Sequence, residues 1–184
     1  MKESDRYALR VGGESERGLG VSSRVSFAHS ESLQCRSRLG KVMAKTEQQI
    51  VINAPIDRVF DIIVDYERYP EFLPDMRAVQ VQSRHDGVAI VSFEIELIMR
   101  VGYTLRLVED RPGSVQWSLE TAKMMSSNDG GWRLQDLKNG TTQATYGLEV
   151  KLKGLIPKSV SSRLLGTTLP DTLKRFKERA EGHA

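Results

Sequence analysis

The chain has 184 residues, enough for one domain with a substantial core, and its 39% apolar and 28% charged content is that of a soluble globular protein. No run approaches the ~18 consecutive apolar residues of a membrane span, and the single cysteine, Cys35, excludes an internal disulfide framework and a cysteine-based zinc site, so a reducing, cytoplasmic setting is the simplest fit. The net charge of +3 resides in residues 1–42, with eight Lys/Arg and five Asp/Glu, whereas residues 43–184 carry nineteen of each; total charge therefore supports no DNA footprint and no ribosome association.

Residues 1–42 are rich in Ser, Gly and Arg, poor in large apolar residues, and without helical or strand periodicity, which reads as a disordered extension. They lack the apolar core of a secretory signal, and Glu3, Asp5, Glu14, Glu16 and Glu31 argue against a transit peptide. Patterned sequence begins at Met43 (MAKTEQQIVINAP), so we read Met43 as the natural start and residues 43–184 as the folded domain.

Glu47 to Asn53 is strand-like. Ala54-Pro55 opens a helix, with Asn53 as N-cap and Pro55 near its first position, and Ile56, Val59, Phe60 and Ile63 form its apolar face. Asp65 caps a second short helical piece carrying Tyr66 and Tyr69, confined by Pro70 and Pro74. This stretch, VDYERYPEFLPDM at 64–76, has two readings. Tyr69, Phe72 and Leu73 plug the end of a sheet, or the prolines hold a stiff, partly exposed loop whose aromatics meet an entering ligand or, transiently, a membrane that delivers it.

From residue 75 to 153 the pattern turns to period two, punctuated by Asp86-Gly87, Pro112-Gly113 and Asn139-Gly140. Phe93, Ile95 and Leu97 share one face; so do Val101, Tyr103, Leu105 and Leu107; Val115, Trp117 and Leu119; Trp132 and Leu134; and Ala144, Tyr146, Leu148, Val150 and Leu152. Half-apolar runs of this kind make an antiparallel sheet with one covered and one wet face. The cover is a helix from Pro157 to about Glu181, with Val160, Leu164, Leu165, Leu169, Leu173, Phe176 and Ala180 as its stripe, a kink near Gly166 and Pro170, and a shallow spot at Thr167 and Thr168. The α+β arrangement that results is a curved antiparallel sheet wrapped around a long C-terminal helix, with two short helices after the first strand. One helix rarely fills such a concavity, and the space left is an apolar cavity for a small ligand.

Catalytic machinery is sparse. His29, His85 and His183 fall in the leading segment, a turn and the C-terminus, so no Ser-His or Cys-His pair is expected; no cluster has metal-ligand spacing, no nucleotide motif is present, and no cofactor is expected. Tyr103, Tyr146 and Arg100 are the polar groups available to orient a reactive chain, although a covered tyrosine more often packs its ring and bonds its hydroxyl locally. Lys151, Lys153 and Lys158 read as a solvated face rather than a binding patch.

INAPIDRVFDIIVDYERYPEFLP at 52–74 resembles the opening of the START-like, helix-grip superfamily of polyketide cyclases and lipid-transport domains, and within it the coenzyme Q-binding branch. The matching positions are Ile52, Ala54, Pro55, Val59, Phe60, Val64, Asp65, Tyr69, Pro70, Phe72, Leu73 and Pro74, while GWRL at 131–134 resembles the Trp-containing strand and FKERA at 176–180 the end of the last helix. The resemblance spans about residues 46–181 and implies a hydrophobic guest, such as a lipid, an isoprenoid quinone or a polyketide-like molecule, held between sheet and helix. A carrier or sequestering module is the leading reading. An aromatase/cyclase and a ribosome-associated, toxin-like interaction protein are the alternatives. The expected lining is Tyr69, Phe72 and Leu73; Phe93, Ile95, Leu97, Tyr103 and Leu105; Trp117, Leu119, Trp132, Tyr146 and Leu148; and Leu164, Leu165, Thr168 and Leu169 of the helix. Deleting residues 1–42 should leave the thermal midpoint essentially unchanged; a loss of many degrees in differential scanning calorimetry would move the domain boundary upstream.

Overall fold

A computed structural model describes residues 43–96, 99–154 and 169–182. In chain order these form β1 (Met43–Ile52), α1 (Ile56–Val64), a 3-10 turn (Tyr66–Arg68), α2 (Tyr69–Phe72), β2 (Met76–His85), β3 (Val88–Glu96), β4 (Arg100–Asp110), β5 (Ser114–Ala122), β6 (Met125–Asp136), β7 (Thr142–Leu152) and α3 (Leu169–Glu181). The strands make one seven-stranded antiparallel sheet in the order β1-β7-β6-β5-β4-β3-β2, so a meander runs from β2 to β7 and the first strand closes on the last.

The turn dipeptides fall where the sequence puts them. Asp86 and Gly87 both have positive φ (51° and 73°), the backbone a two-residue β2–β3 hairpin requires. Gly113 N–H bonds Asp110 O at 2.8 Å in the β4–β5 turn, and Gly140 (φ 79°) shapes the β6–β7 loop. Phe93, Val101, Leu105, Leu107, Val115, Trp132, Leu134, Ala144, Val150 and Leu152 are buried, as the alternation predicts, and Ala89 and Val91, not singled out from sequence, extend the Phe93 face. The opposite face is less uniformly wet than expected. Thr104 and Thr145 are buried there, and Thr104 Oγ1 shares a 2.9 Å hydrogen bond with Ser92 Oγ on the neighbouring strand.

Several local expectations need correction. β1 starts at Met43 rather than Glu47, because its pairing with β7 runs the full length from Met43↔Lys151 to Ile52↔Thr142. Pro55, not Asn53, is the N-cap of α1; its φ of −59° and ψ of 149° make it the extended half-in residue, and no side chain caps the helix. The Asn53 backbone N–H is instead held by Glu181 Oε1 at 2.7 Å. Asp65 stands at the N-cap of the 3-10 turn without a side-chain capping bond. β6 begins at Met125, well before the Trp132 run, because Met125–Asn128 is held by pairing with β7 rather than by its own weak alternation.

The described part of α3 lays Leu173, Phe176 and Ala180 on one buried face. Its C-terminal end is tied down by polar contacts: Lys177 Nζ donates to Val51 O at 2.7 Å, Arg58 Nε donates to Ala180 O at 2.5 Å, and Arg179 pairs with Glu71. The Arg58 bond satisfies a carbonyl that a helix end would otherwise leave open. Val160, Leu164, Leu165, Gly166, Thr167 and Thr168, the expected start at Pro157, Lys158 and Leu97 lie outside the described residues. Lys151 pairs with Glu149 at 3.0 Å and Lys153 donates to Ala122 O at 3.3 Å, so neither stands as an unpaired basic patch.

VDYERYPEFLPDM is a plug rather than a partly exposed loop. The 3-10 turn followed by one helical turn sets Tyr66, Tyr69 and Phe72 three residues apart on one side, and all three are buried, as is Leu73; Tyr66 is 2% exposed and Phe72 8%. Glu67, Arg68, Pro70 and Glu71 face outward. Tyr69, Phe72 and Trp132 each meet the Phe176 ring edge-on, with centroids 5.2, 5.1 and 5.2 Å away. Phe72→Ala should therefore cost about 3–5 kcal/mol. Chemical denaturation measures this; a cost under about 1 kcal/mol, typical of surface changes, would return the stretch to an exposed loop.

Candidate functional site

The concave face of the sheet is not filled evenly. One buried cluster gathers α1, the plug, α3 and the facing strands; a smaller one gathers Val101, Met125, Val150 and Leu152. Residues of both border a cavity of about 220 Å³.

Ten of the residues predicted from sequence line it. Tyr69 and Leu73 come from the plug, Phe93 and Ile95 from β3, and Tyr103 and Leu105 from β4. Trp117, Trp132, Tyr146 and Leu148 come from β5, β6 and β7. Phe72 does not line the cavity; its ring packs on Phe176 with the Arg179 guanidinium 5.7 Å from its centroid. Leu119 is half-buried against both clusters and is also not part of the wall. Leu97, Leu164, Leu165, Thr168 and the Leu169 side chain lie outside the described residues.

Sequence reasoning missed other parts of the wall. Leu107, Val115 and Val150 were already on the covered face, and Ile63 and Phe176 on apolar helical stripes; nothing in their patterns separates wall from solid core. Tyr66 sat in the plug motif and Thr172 one turn before Phe176. Met125 and Asn128 fall in the part of β6 that has no strand signature, and Thr46, Asp75 and Met76 carry no signal of their own.

The aromatic wall is held by register. Phe93 and Tyr103 are paired across β3 and β4, and their rings stack with centroids 5.5 Å apart. Trp132 and Tyr146 are paired across β6 and β7 and meet edge-on at 4.8 Å, with Trp117 5.5 Å from Tyr146. Trp117 can lie against the sheet only because residue 130 is glycine. A Cβ there would come within 2.6 Å of the indole and 2.3 Å of Gly147 O. Its Nε1–H donates to Asn128 Oδ1 at 3.1 Å.

The tyrosine hydroxyls divide into two sets. Tyr66 donates to Glu109 at 2.9 Å, and Glu109 in turn accepts from Arg84 at 2.6 Å; Tyr69 donates to Ile63 O at 2.5 Å. No described residue hydrogen-bonds the hydroxyls of Tyr103 or Tyr146. Among the described residues the one sealed side-chain polar atom without a partner is Ser127 Oγ, so neither phenol oxygen is sealed, and both residues line the cavity. Burial pushes the Tyr103 phenol up to about 12 and, joined by Tyr103 itself, holds Tyr146 well above the usual tyrosine range. Burial also raises Tyr69, and raises Tyr66 with the help of the Glu109 carboxylate. Among the described lining residues Asp75 is the sole carboxylate, and none is Lys, Arg or His.

A family model, described as polyketide cyclase / dehydrase and lipid transport, matches residues 52–177. The chain belongs to this polyketide cyclase / dehydrase and lipid transport family. Within the family's fold it is similar to a START superfamily protein from Mycobacterium smegmatis, at 16% identity over 76% of this chain and 99% of that one, TM-score 0.66. It is similar to a STAR-related lipid transfer protein from Xanthomonas axonopodis, at 15% identity over 81% of this chain and 97% of that one, TM-score 0.63. It is also similar to the ZhuI aromatase/cyclase from Streptomyces sp. R1128, at 19% identity over 77% of this chain and 88% of that one, TM-score 0.56. No curated protein matches it by sequence. The architecture is thus the START-like, helix-grip fold expected from the opening motif. Among the described residues no helix is long and apolar enough to cross a membrane.

The raised phenols of this family member set its alkaline behaviour. Tyr103 ionises near pH 10 when unfolded and near 12 when folded. Its contribution is complete below pH 10 and is lost as pH climbs from 10 to about 12, because only the unfolded chain gives up the proton in that window. Denaturation midpoints measured across that window should fall with pH, and less steeply in Tyr103→Phe than in wild type. Equal slopes would contradict the burial of this phenol.

Proposed function

We propose that residues 43–184 bind a hydrophobic small molecule in the cavity between the sheet and α3, acting as a carrier or sequestering module. The observation that carries this reading is the partly open, aromatic-lined space itself, since a protein core ordinarily closes to crystal-like density and leaves few voids larger than a water. Within that class, the likeness of residues 52–74 to the coenzyme Q-binding branch supports an isoprenoid-quinone-like guest. The membership of the family and the lipid-transfer title of one structural relative are consistent with carriage.

Carriage is favoured over an aromatase/cyclase reaction by the chemistry of the lining. A general acid or base works best with a pKa near the operating pH. The described cavity offers phenols displaced further from neutrality and one rim carboxylate, Asp75, rather than a group tuned toward it.

Trp117 and Trp132 both line the cavity, so titration with a short-chain benzoquinone should quench tryptophan emission saturably. Leu148→Trp, which adds bulk to the wall, should weaken binding at least about tenfold by calorimetry while the thermal midpoint stays within a few degrees. If the filled variant binds as well as wild type, the guest sits elsewhere and the reading fails.

A further inference from the structure

Of the four tyrosines on the cavity wall, two have their hydroxyls committed to the protein and two do not. Tyr66 and Tyr69 donate to Glu109 and to Ile63 O. Tyr103 and Tyr146 donate to no described residue, and both residues line the cavity, from β4 and β7, which stand three places apart in the strand order. Neither of these two oxygens is sealed, so a hydroxyl without a protein partner in this apolar wall is completed by water or by a ligand and is available to a guest. A wall built merely to be apolar would carry phenylalanine at both positions at no cost in packing, because each ring already has its aromatic neighbour: Phe93 stacks on Tyr103, and Trp117 and Trp132 flank Tyr146.

The charge of the site narrows what those donors can take. Both phenols stay protonated through the physiological range, so each has an O–H to give. An anionic headgroup would also attract an O–H, but it would have to shed its hydration in a cavity whose described lining holds no cation and one carboxylate, Asp75. A neutral carbonyl oxygen loses far less on leaving water and accepts the same bonds.

Building on the cavity-binding reading, we infer that Tyr103 and Tyr146 form a hydrogen-bond-donor anchor for a carbonyl-type oxygen on a neutral, otherwise apolar ligand, and that the cavity discriminates against carboxylate-headed lipids. The aromatic wall supplies affinity and the two hydroxyls supply orientation, fixing which end of the guest faces β4 and β7.

Three probes with one ring skeleton separate these roles: naphthalene, acetylnaphthalene and naphthoate, measured by equilibrium dialysis against the full chain at neutral pH. Acetylnaphthalene should bind roughly fivefold or more tighter than naphthalene, the scale of one to two net hydrogen bonds, and naphthoate should bind weakest. In Tyr103→Phe and Tyr146→Phe the ketone-to-hydrocarbon preference should shrink, and in the double variant approach one. Because the wild-type series alone tests the preference, a variant that folds poorly does not remove the test. Naphthalene binding without preference for the ketone, or naphthoate binding as tightly as the ketone, would overturn the anchor and leave cavity binding standing. Failure of all three probes to bind would overturn both.

Discussion

The structure depends on how Phe176 is seated. A seven-stranded sheet that curls has a concave face longer than one helix can cover, and among the described residues the C-terminal end of α3 is firmly fastened to its surroundings. There the Phe176 ring enters a socket of Tyr69, Phe72 and Trp132, each edge-on at about 5 Å. Lys177, Arg58 and Arg179 then fasten the same end of the helix to β1, α1 and α2. Two of these contacts are hydrogen bonds to backbone carbonyls and the third is an ion pair, which adds little by itself; together they fix the angle at which the aromatic contact is made. Once that angle is set, the helix packs tightly where the plug meets it and leaves space where it does not.

The plug and the cavity are therefore one device. Tyr69 serves both: its ring packs on Phe176 and Phe93, its hydroxyl is tied to Ile63 O, and its remaining surface is wall. Tyr66 is held the same way through Glu109 and Arg84. At the far side the wall rests on Trp117, which lies flat only because Gly130 has no side chain and Asn128 accepts its N–H. Fixing rings on both sides in this way keeps the concavity from collapsing onto itself, which is what an apolar void otherwise tends to do.

Much of this was legible in the sequence, and the illegible parts share one cause. The alternation from Val101 to Leu107 and from Ala144 to Leu152, the turn dipeptides, and the Val59, Phe60 and Ile63 face each encode a local period, and each formed as read. The first half of β6 could not be read, because Met125–Asn128 is a strand only by virtue of its pairing with β7. Nor could wall be told from core: Leu107, Leu119 and Leu134 obey one alternation, yet only Leu107 borders the cavity. A period-two pattern states which face a residue is on, not whether a helix or empty space lies opposite. The aromatic run at 64–76 was ambiguous for a related reason, since prolines stiffen a buried plug as well as they stiffen an exposed loop.

The central claim is that apolar guests enter the concave side and nowhere else. Two-dimensional NMR of uniformly labelled protein, recorded with and without a saturating short-chain quinone, tests it most directly. The account expects the largest shifts at the Trp117 and Trp132 indole N–H groups and around Tyr69, Tyr103, Tyr146 and Phe176, with the outward-facing residues of the strands, such as Arg106 and Gln116, unmoved. Shifts concentrated on that outer face, or none on the cavity wall at saturation, would contradict it.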